Sequence, residues 1–196
     1  MLATVLLLAI SVKAQGYSVG DMATDFKLKN IDGKMVSLSD YKNAKGIIVV
    51  FICNPCPYVK LYEQRILNLD KKYAPKGYPV VAINPNDPIV SKEDAFDKMQ
   101  ERAKNKKYTF PYLVDETQEI TKAYGAKATP HVYLLKKQND NKFTVEYIGA
   151  IDDDVENTKT NKVKYVENAI NALEKGTKPE ITSTKAIGCT IKWKKA

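Results

Sequence analysis

Residues 46–52, GIIVVFI, are apolar from end to end and run straight into Cys53-Asn54-Pro55-Cys56. Few folds accept that junction. An unbroken apolar run of this length, set between the polar stretch KNAK and a proline-bearing turn, reads as a strand covered on both faces. The residues after it, Val59, Tyr62, Ile66, Leu69 and Tyr73, recur at helical spacing across 56–73, and Gly77 stops them. Strand, two-cysteine turn and helix therefore follow one another directly. A helix between successive strands makes a crossover, and helical crossovers force a mostly parallel first half of the sheet.

The rest of the chain repeats the pattern. DFKLKNIDGKMVSL at 25–38 alternates about a turn at Asp32-Gly33 and predicts a hairpin. PVVAI at 79–83 predicts a second buried strand. Ser91 is a good cap for a helix over 91–104, with Glu93 and Asp94 acidic in its first turn and Phe96, Met99 and Ala103 on its buried face. A short strand at 111–114 leads into a helix from Thr117 to Gly125. HVYLLKK at 131–137 and FTVEYIG at 143–149 flank the polar turn QNDNK as an antiparallel hairpin, and a helix over 161–174 ends at Gly176. The expected class is α/β: a central mixed sheet flanked by helices, with an N-terminal β-hairpin. One domain over 15–176 accounts for this order, and residues 177–196 read as an extension packed back on it.

Residues 2–12, LATVLLLAISV, are too few to span a bilayer as a helix. They end in Val12-x-Ala14, which suits a signal peptide over 1–14 cleaved after Ala14, although no basic residue precedes the run. The expected location is the periplasm or the cell exterior, where disulfides persist. The chain carries 31 Lys plus Arg against 23 Asp plus Glu, a formal charge of +8, yet only Arg65 and Arg102 are arginines. Nucleic-acid readers lean on arginine forks, so a scattered lysine excess does not point to a nucleic-acid partner.

Chemistry concentrates in the two-cysteine turn. A helix start offers free N–H groups and a positive dipole end, which would favour a thiolate at Cys53 and leave Cys56 close enough to attack a mixed disulfide on it. Pro55 tolerates the first turn because it needs no N–H partner there. A C-x-x-C beside a βαβ pattern reads as redox-active. Two plainer readings compete: a structural disulfide between Cys53 and Cys56, and a soft-metal site made of Cys53, Cys56, Cys189 and His131. Thr129-Pro130 opens a strand, where a cis bond would give a tight entry and a trans strand-start proline would also serve. His131, the one histidine in the chain, could shuttle a proton or be purely structural. Cys189 leaves three possibilities: a buried inert thiol, a third redox group, or an intermolecular bond.

The cysteine turn after an apolar strand and the later Thr-Pro resemble the thioredoxin fold. The leading segment VGDMATDFKLKNIDGKMVSLSDYKNAKG is similar to the start of the alkyl hydroperoxide reductase/thiol-specific antioxidant branch, including secreted thiol–disulfide oxidoreductases built on it. FICNPCPYVKLYEQRI, VVAINPNDP, PYLVDETQEITKAYGAKATPHVYLL and YIGAIDDD extend the resemblance over roughly 17–176. That likeness implies Cys53 as attacking thiol, Cys56 as resolving thiol and Pro130 as a cis-proline against the disulfide. It implies that Thr129 offers backbone groups to an extended substrate, with Asn54 and Pro55 also in contact with it. The implied activity is thiol–disulfide exchange through a Cys53–Cys56 pair, acting as a reductant, with a thiol-dependent peroxidase or a soft-metal module as alternatives. The partners would be protein or small-molecule disulfides and thiols and a dithiol electron donor, with membrane contact only through that donor; no cofactor and no metal are called for.

The sequence also departs from the thioredoxin pattern. Ile52 precedes Cys53, Asn54 replaces the glycine, and Ile47 stands where thioredoxin keeps a buried acid. Lys60, Glu63 or a water would then have to assist proton transfer. The proline and Thr/Ser that lead into a peroxidatic cysteine are absent, since residues 49–52 read Val-Val-Phe-Ile.

Overall fold

In the computed structural model, which describes residues 16–195, seven strands lie in the order Met35–Ser37, Lys27–Asn30, Tyr112–Val114, Val80–Asn84, Gly46–Phe51, His131–Lys137, Phe143–Gly149. The leader expected over 1–14 lies outside the described residues. The apolar run forms β3 (Gly46–Phe51) at the centre of the sheet, with every residue buried. It pairs in parallel with β4 (Val80–Asn84) and antiparallel with β7 (His131–Lys137). β4 pairs in parallel with β5 (Tyr112–Val114), and β7 is antiparallel to β8 (Phe143–Gly149). β1 (Lys27–Asn30) and β2 (Met35–Ser37) form the N-terminal hairpin, and β1 is antiparallel to β5. The sheet is therefore mixed, with a parallel middle and antiparallel margins. This is the thioredoxin-like α/β fold.

The pleat of β3 divides the core. Ile48, Val50 and Ile52 face one side, where α1 (Pro57–Tyr73) brings Val59, Tyr62, Ile66 and Leu69. On that same side α2 (Phe96–Lys106) adds Met99, and α4 (Tyr165–Glu174) adds Val166 and Ile170. Ile47, Val49 and Phe51 face the other side with Phe26, Tyr133 and Tyr124, the last from α3 (Glu119–Tyr124). Successive side chains on a strand point to opposite faces, so one apolar run serves both cores.

Two helix starts differ from expectation. The segment that begins at Ser91 is first a 3-10 turn at Lys92–Asp94, and the α-helix starts only at Phe96. The reason lies in Asp94: its side chain is buried at 1% exposure and takes several hydrogen bonds instead of lying on the solvent face of a first turn. The final helix begins at Tyr165, not 161.

The C-terminal segment crosses the sheet margin and returns to the cysteine turn. Thr184 donates its N–H to the Ile148 carbonyl at 2.9 Å, and its hydroxyl meets Tyr147 Oη at 2.6 Å. Further on, β9 (Cys189–Thr190) pairs antiparallel with β6 (Ala128–Thr129), placing Cys189 opposite Thr129. Ile191 is buried in the second core, whereas Trp193 remains 42% exposed.

Candidate active site: three sulfurs around Thr129

β3 delivers Cys53 at the carboxyl end of the sheet, where open α/β sheets place their sites. The chain then turns through Asn54 and Pro55, and α1 begins at Pro57 with Cys56 in the N-cap position. Cys53 and Cys56 are both 2% exposed, and Pro55 is exposed between them. Across the turn stands Thr129, fully buried, followed by a cis peptide bond to Pro130. Thr129 Oγ1 is 3.0 Å from Cys53 Sγ, and the Thr129 carbonyl oxygen is 3.2 Å from Cys56 Sγ.

The third sulfur arrives from the tail. Cys56 is disulfide-bonded to Cys189, with Cα atoms 5.9 Å apart, and Cys53 is the free cysteine. The internal disulfide is therefore not the Cys53–Cys56 pair expected from the C-x-x-C spacing. The β6–β9 pairing explains it. Register sets Cys189 opposite Thr129, and the Thr129 carbonyl already lies beside Cys56. Cys189 is accordingly neither unpaired nor bonded to another chain.

The assignment of the helix end also changes. Cys56, not Cys53, caps α1, so the free N–H groups and the positive dipole end serve Cys56. Cys53 lies further inside. Burial pushes its thiol above the usual range, outweighing the hydrogen bonds from Thr129, the Cys56 backbone and Asn86 that favour the thiolate, while the Asp94 charge pushes it up further.

A buried polar cluster stands beside the cysteine turn, beyond the carboxyl end of β3. Asp94 Oδ1 accepts the Asn54 N–H at 2.7 Å and Asn84 Nδ2 at 2.9 Å. Asp94 Oδ2 accepts Asn86 Nδ2 at 2.8 Å and Ser91 Oγ at 2.6 Å. Tyr112 Oη donates to Asn54 Oδ1 at 3.0 Å, and Asn54 Nδ2 donates to the Glu93 carbonyl at 2.7 Å. Asn54 is thus 7% exposed and held by structure on both sides. Sequence reasoning placed Asp94 only as a first-turn acid; the Ser91-x-x-Asp94 spacing and the asparagines of INPND were the available signal.

The other expected assistants are elsewhere. Glu63 is paired with Arg102 at 2.7 Å and Lys106 at 3.3 Å and accepts from Tyr108 Oη at 2.8 Å. Arg102 in turn donates to the Asn54 carbonyl at 3.1 Å, so this pair braces the turn. Lys60 and Pro55 line an open cleft over Asn54 with Glu93 and Arg102. His131 contacts Lys127 N–H and Tyr133 Oη, in keeping with a strand neighbour that points away from residue 130. Among the described residues no group of three or more His, Cys, Asp or Glu side chains could hold a metal ion, so the set Cys53, Cys56, Cys189 and His131 does not come together as ligands.

The AhpC/TSA family pattern matches residues 19–161. The chain belongs to the AhpC/TSA family. It is 29% identical over 123 residues to the thiol-disulfide oxidoreductase ResA of Geobacillus thermodenitrificans, covering 61% of this chain and 64% of that protein. It is 30% identical over 128 residues to ResA of Geobacillus kaustophilus, covering 64% and 67%. The match thus spans about two thirds of the length of these relatives. A solved conserved protein from Geobacillus kaustophilus superposes with a TM-score of 0.83 at 37% identity, covering 91% of this chain and 94% of that one. A hypothetical protein from Sinorhizobium meliloti 1021 gives 0.83 at 32% identity, covering 93% and 98%.

Proposed function

We propose that this AhpC/TSA protein is a thiol–disulfide oxidoreductase whose exchangeable disulfide is Cys56–Cys189. One observation carries the reading: the tail strand docks on Ala128–Thr129 and bonds Cys189 to the cysteine that caps α1. Membership of the family and the similarity to the ResA proteins supply the reaction class.

In the oxidising direction a substrate thiolate attacks Cys189 Sγ, the partly buried and more reachable sulfur. Cys56 leaves as a thiolate at the N-terminus of α1, where the positive end of the helix dipole stabilises the departing charge. A second substrate thiolate then attacks the substrate sulfur of the mixed disulfide and expels Cys189. The substrate leaves as a disulfide, and two electrons stay on the Cys56 and Cys189 thiols. The reducing direction reverses each step: Cys189 thiolate attacks a substrate disulfide, and Cys56 thiolate then attacks Cys189 Sγ, releases the reduced substrate and closes Cys56–Cys189. A dithiol donor then reduces Cys56–Cys189 again. Thr129 and Pro130 form the wall against which an exchanging chain lies, with Asn54 and Pro55 at the cleft beside it. Cys53, in contact with Thr129 Oγ1, orders that wall as a thiol.

The compartment proposed is outside the cytoplasm, in the periplasm or secreted. The apolar run over 2–12 and a disulfide as working group support it. No helix among the described residues is long and apolar enough to cross a membrane. The partners proposed are thiol or disulfide substrates and a dithiol donor.

Equilibration of the chain in thiol buffers, followed by alkylation and non-reducing peptide mapping, tests the reading. The expected result is one two-electron transition that links the peptides containing Cys56 and Cys189. Cys189→Ser is expected to abolish exchange, Cys56→Ser to stop it at a mixed disulfide on Cys189, and Cys53→Ser only to slow it. Full turnover by Cys189→Ser would overturn the proposal.

A further inference from the structure

Asp94 is the one carboxylate at the cysteine turn that is fully buried, among the described residues, without a cationic partner. Its four contacts are all neutral donors: the Asn54 N–H, Asn84, Asn86 and Ser91. A buried carboxylate satisfied this way is expensive to keep, and its retention calls for a role in ordering what it binds. What it binds is unusual. Asn54 is the residue directly after Cys53, so the one backbone N–H among the four contacts fixes the turn that carries the free thiol. Asn86 reaches the opposite way: its Oδ1 accepts the Lys192 N–H at 2.8 Å, three residues past Cys189. The neighbouring Asp87 N–H donates to the Lys192 carbonyl at 2.9 Å, closing the clamp on the tail.

We propose that Asp94 is the positioning residue of the three-sulfur centre, holding the Cys53 turn through Asn54 and the Cys189 tail through Asn86. Asp94 touches neither substrate nor a reacting sulfur. It acts by keeping two segments that are far apart in sequence on one carboxylate, so that Cys56 and Cys189 meet while Cys53 stays against Thr129. The arms are chemically distinct. Asn86 also donates a hydrogen bond toward the Cys53 thiolate, whereas the Asp94 charge opposes that thiolate. The other groups around Cys53 are Tyr112 from β5, Arg102 from α2 on the Asn54 carbonyl, and Lys60 and Glu93 at the cleft mouth. These remain in place in the variants below.

The inference rests on the proposed role of Cys56–Cys189, and its test separates the two. Asp94→Asn and Asn86→Ala are made in the full chain, with circular dichroism as the check on folding. The first readout is the pH profile of Cys53 alkylation by iodoacetamide, with the site read by peptide mass. Removing the charge in Asp94→Asn is expected to speed alkylation at pH 8 about threefold, by moving the profile to lower pH. Removing the donor in Asn86→Ala is expected to slow it about threefold, by moving the profile the other way. General loosening of the fold would speed both. The second readout is the thiol-buffer ratio at which Cys56–Cys189 is half reduced. Loss of the tail clamp in Asn86→Ala is expected to make the disulfide about tenfold easier to reduce. Should Asp94→Asn not fold, Asn86→Ala alone decides, through slower alkylation together with easier reduction. Alkylation profiles of both variants shifted in the same direction, or an Asn86→Ala protein equal to wild type in both readouts, would overturn the inference. A wild-type disulfide that never equilibrates with thiol buffer would sink the functional proposal while leaving the Cys53 profiles to judge Asp94.

Discussion

His131 shows how a single side chain can carry a pH dependence without taking part in the chemistry. It is 7% exposed and packs against Tyr133, with ring centroids 4.8 Å apart. Burial, helped by the nearby Lys127 charge, holds its imidazole down at about 4, against an ordinary 6.5. The unfolded chain therefore binds a proton on this ring as pH falls through 6.5, and the folded chain binds it only near 4. Between those values the unfolded state holds more protons, so stability falls as pH falls. The contribution is complete above about 6.5 and is lost progressively on the way down to about 4. At about 1.4 kcal/mol per pH unit the ceiling is about 3 kcal/mol. Urea unfolding at pH 7.5 and pH 4.5 is expected to lose more stability in the wild type than in His131→Gln. Parallel losses in the two proteins would remove His131 as the cause, because the carboxylates common to both titrate in the same range.

At the scale of elements the tail strand depends on one missing side chain. Gly188 lies so close to Thr129 that a Cβ there would collide with the Thr129 carbonyl oxygen and approach Pro130 N at 3.0 Å. Both obstacles are backbone and cannot rotate away, so β9 can pair with β6 only when the residue before Cys189 is glycine. Gly188→Val is expected to unseat the strand and make Cys56–Cys189 about tenfold easier to reduce, since overpacking typically costs about 1–3 kcal/mol. A midpoint in thiol buffer unchanged from wild type would show that the tail binds in some other register. This strand also marks where sequence reading stopped. GIIVVFI, PVVAI and the 131–149 hairpin were legible because burial on both faces and alternation leave direct patterns. The cysteine turn was legible because its spacing is local. The partner of Cys56 was not, because pairing between cysteines is decided by tertiary contact, and the nearer cysteine was the wrong one. Asp94 escaped for a related reason: an acid three residues after a serine has the pattern of a solvated helix start, and only the packing of Asn54, Asn84 and Asn86 around it makes it interior.

For the whole molecule the disulfide is a long-range tie. Cys56 and Cys189 are 133 residues apart, and the loop they close contains α1, α2, α3, α4 and all strands from β4 to β8. Constraining so long a loop in the unfolded chain is worth about 5 kcal/mol by the chain-entropy argument, and measured losses on removing a native disulfide run at about 2–5 kcal/mol. The folded side changes much less. Without the bond the tail keeps Ile191 in the second core, the Lys192 clamp and the Gln118 Oε1 contact with Lys194 N–H at 2.8 Å. The tail should therefore stay docked but exchange more freely, while the seven-stranded sheet remains intact. Urea denaturation of the oxidised and the dithiol forms is expected to give a loss of about 2–4 kcal/mol on reduction. Native-state hydrogen exchange should show lowered protection concentrated over 184–194, with β3 and β4 lower only by the global change. Equal stability of the two forms would mean that the tie does not constrain the unfolded chain. A uniform loss of protection across the sheet would mean that the disulfide holds the core itself and not the strand that carries Cys189.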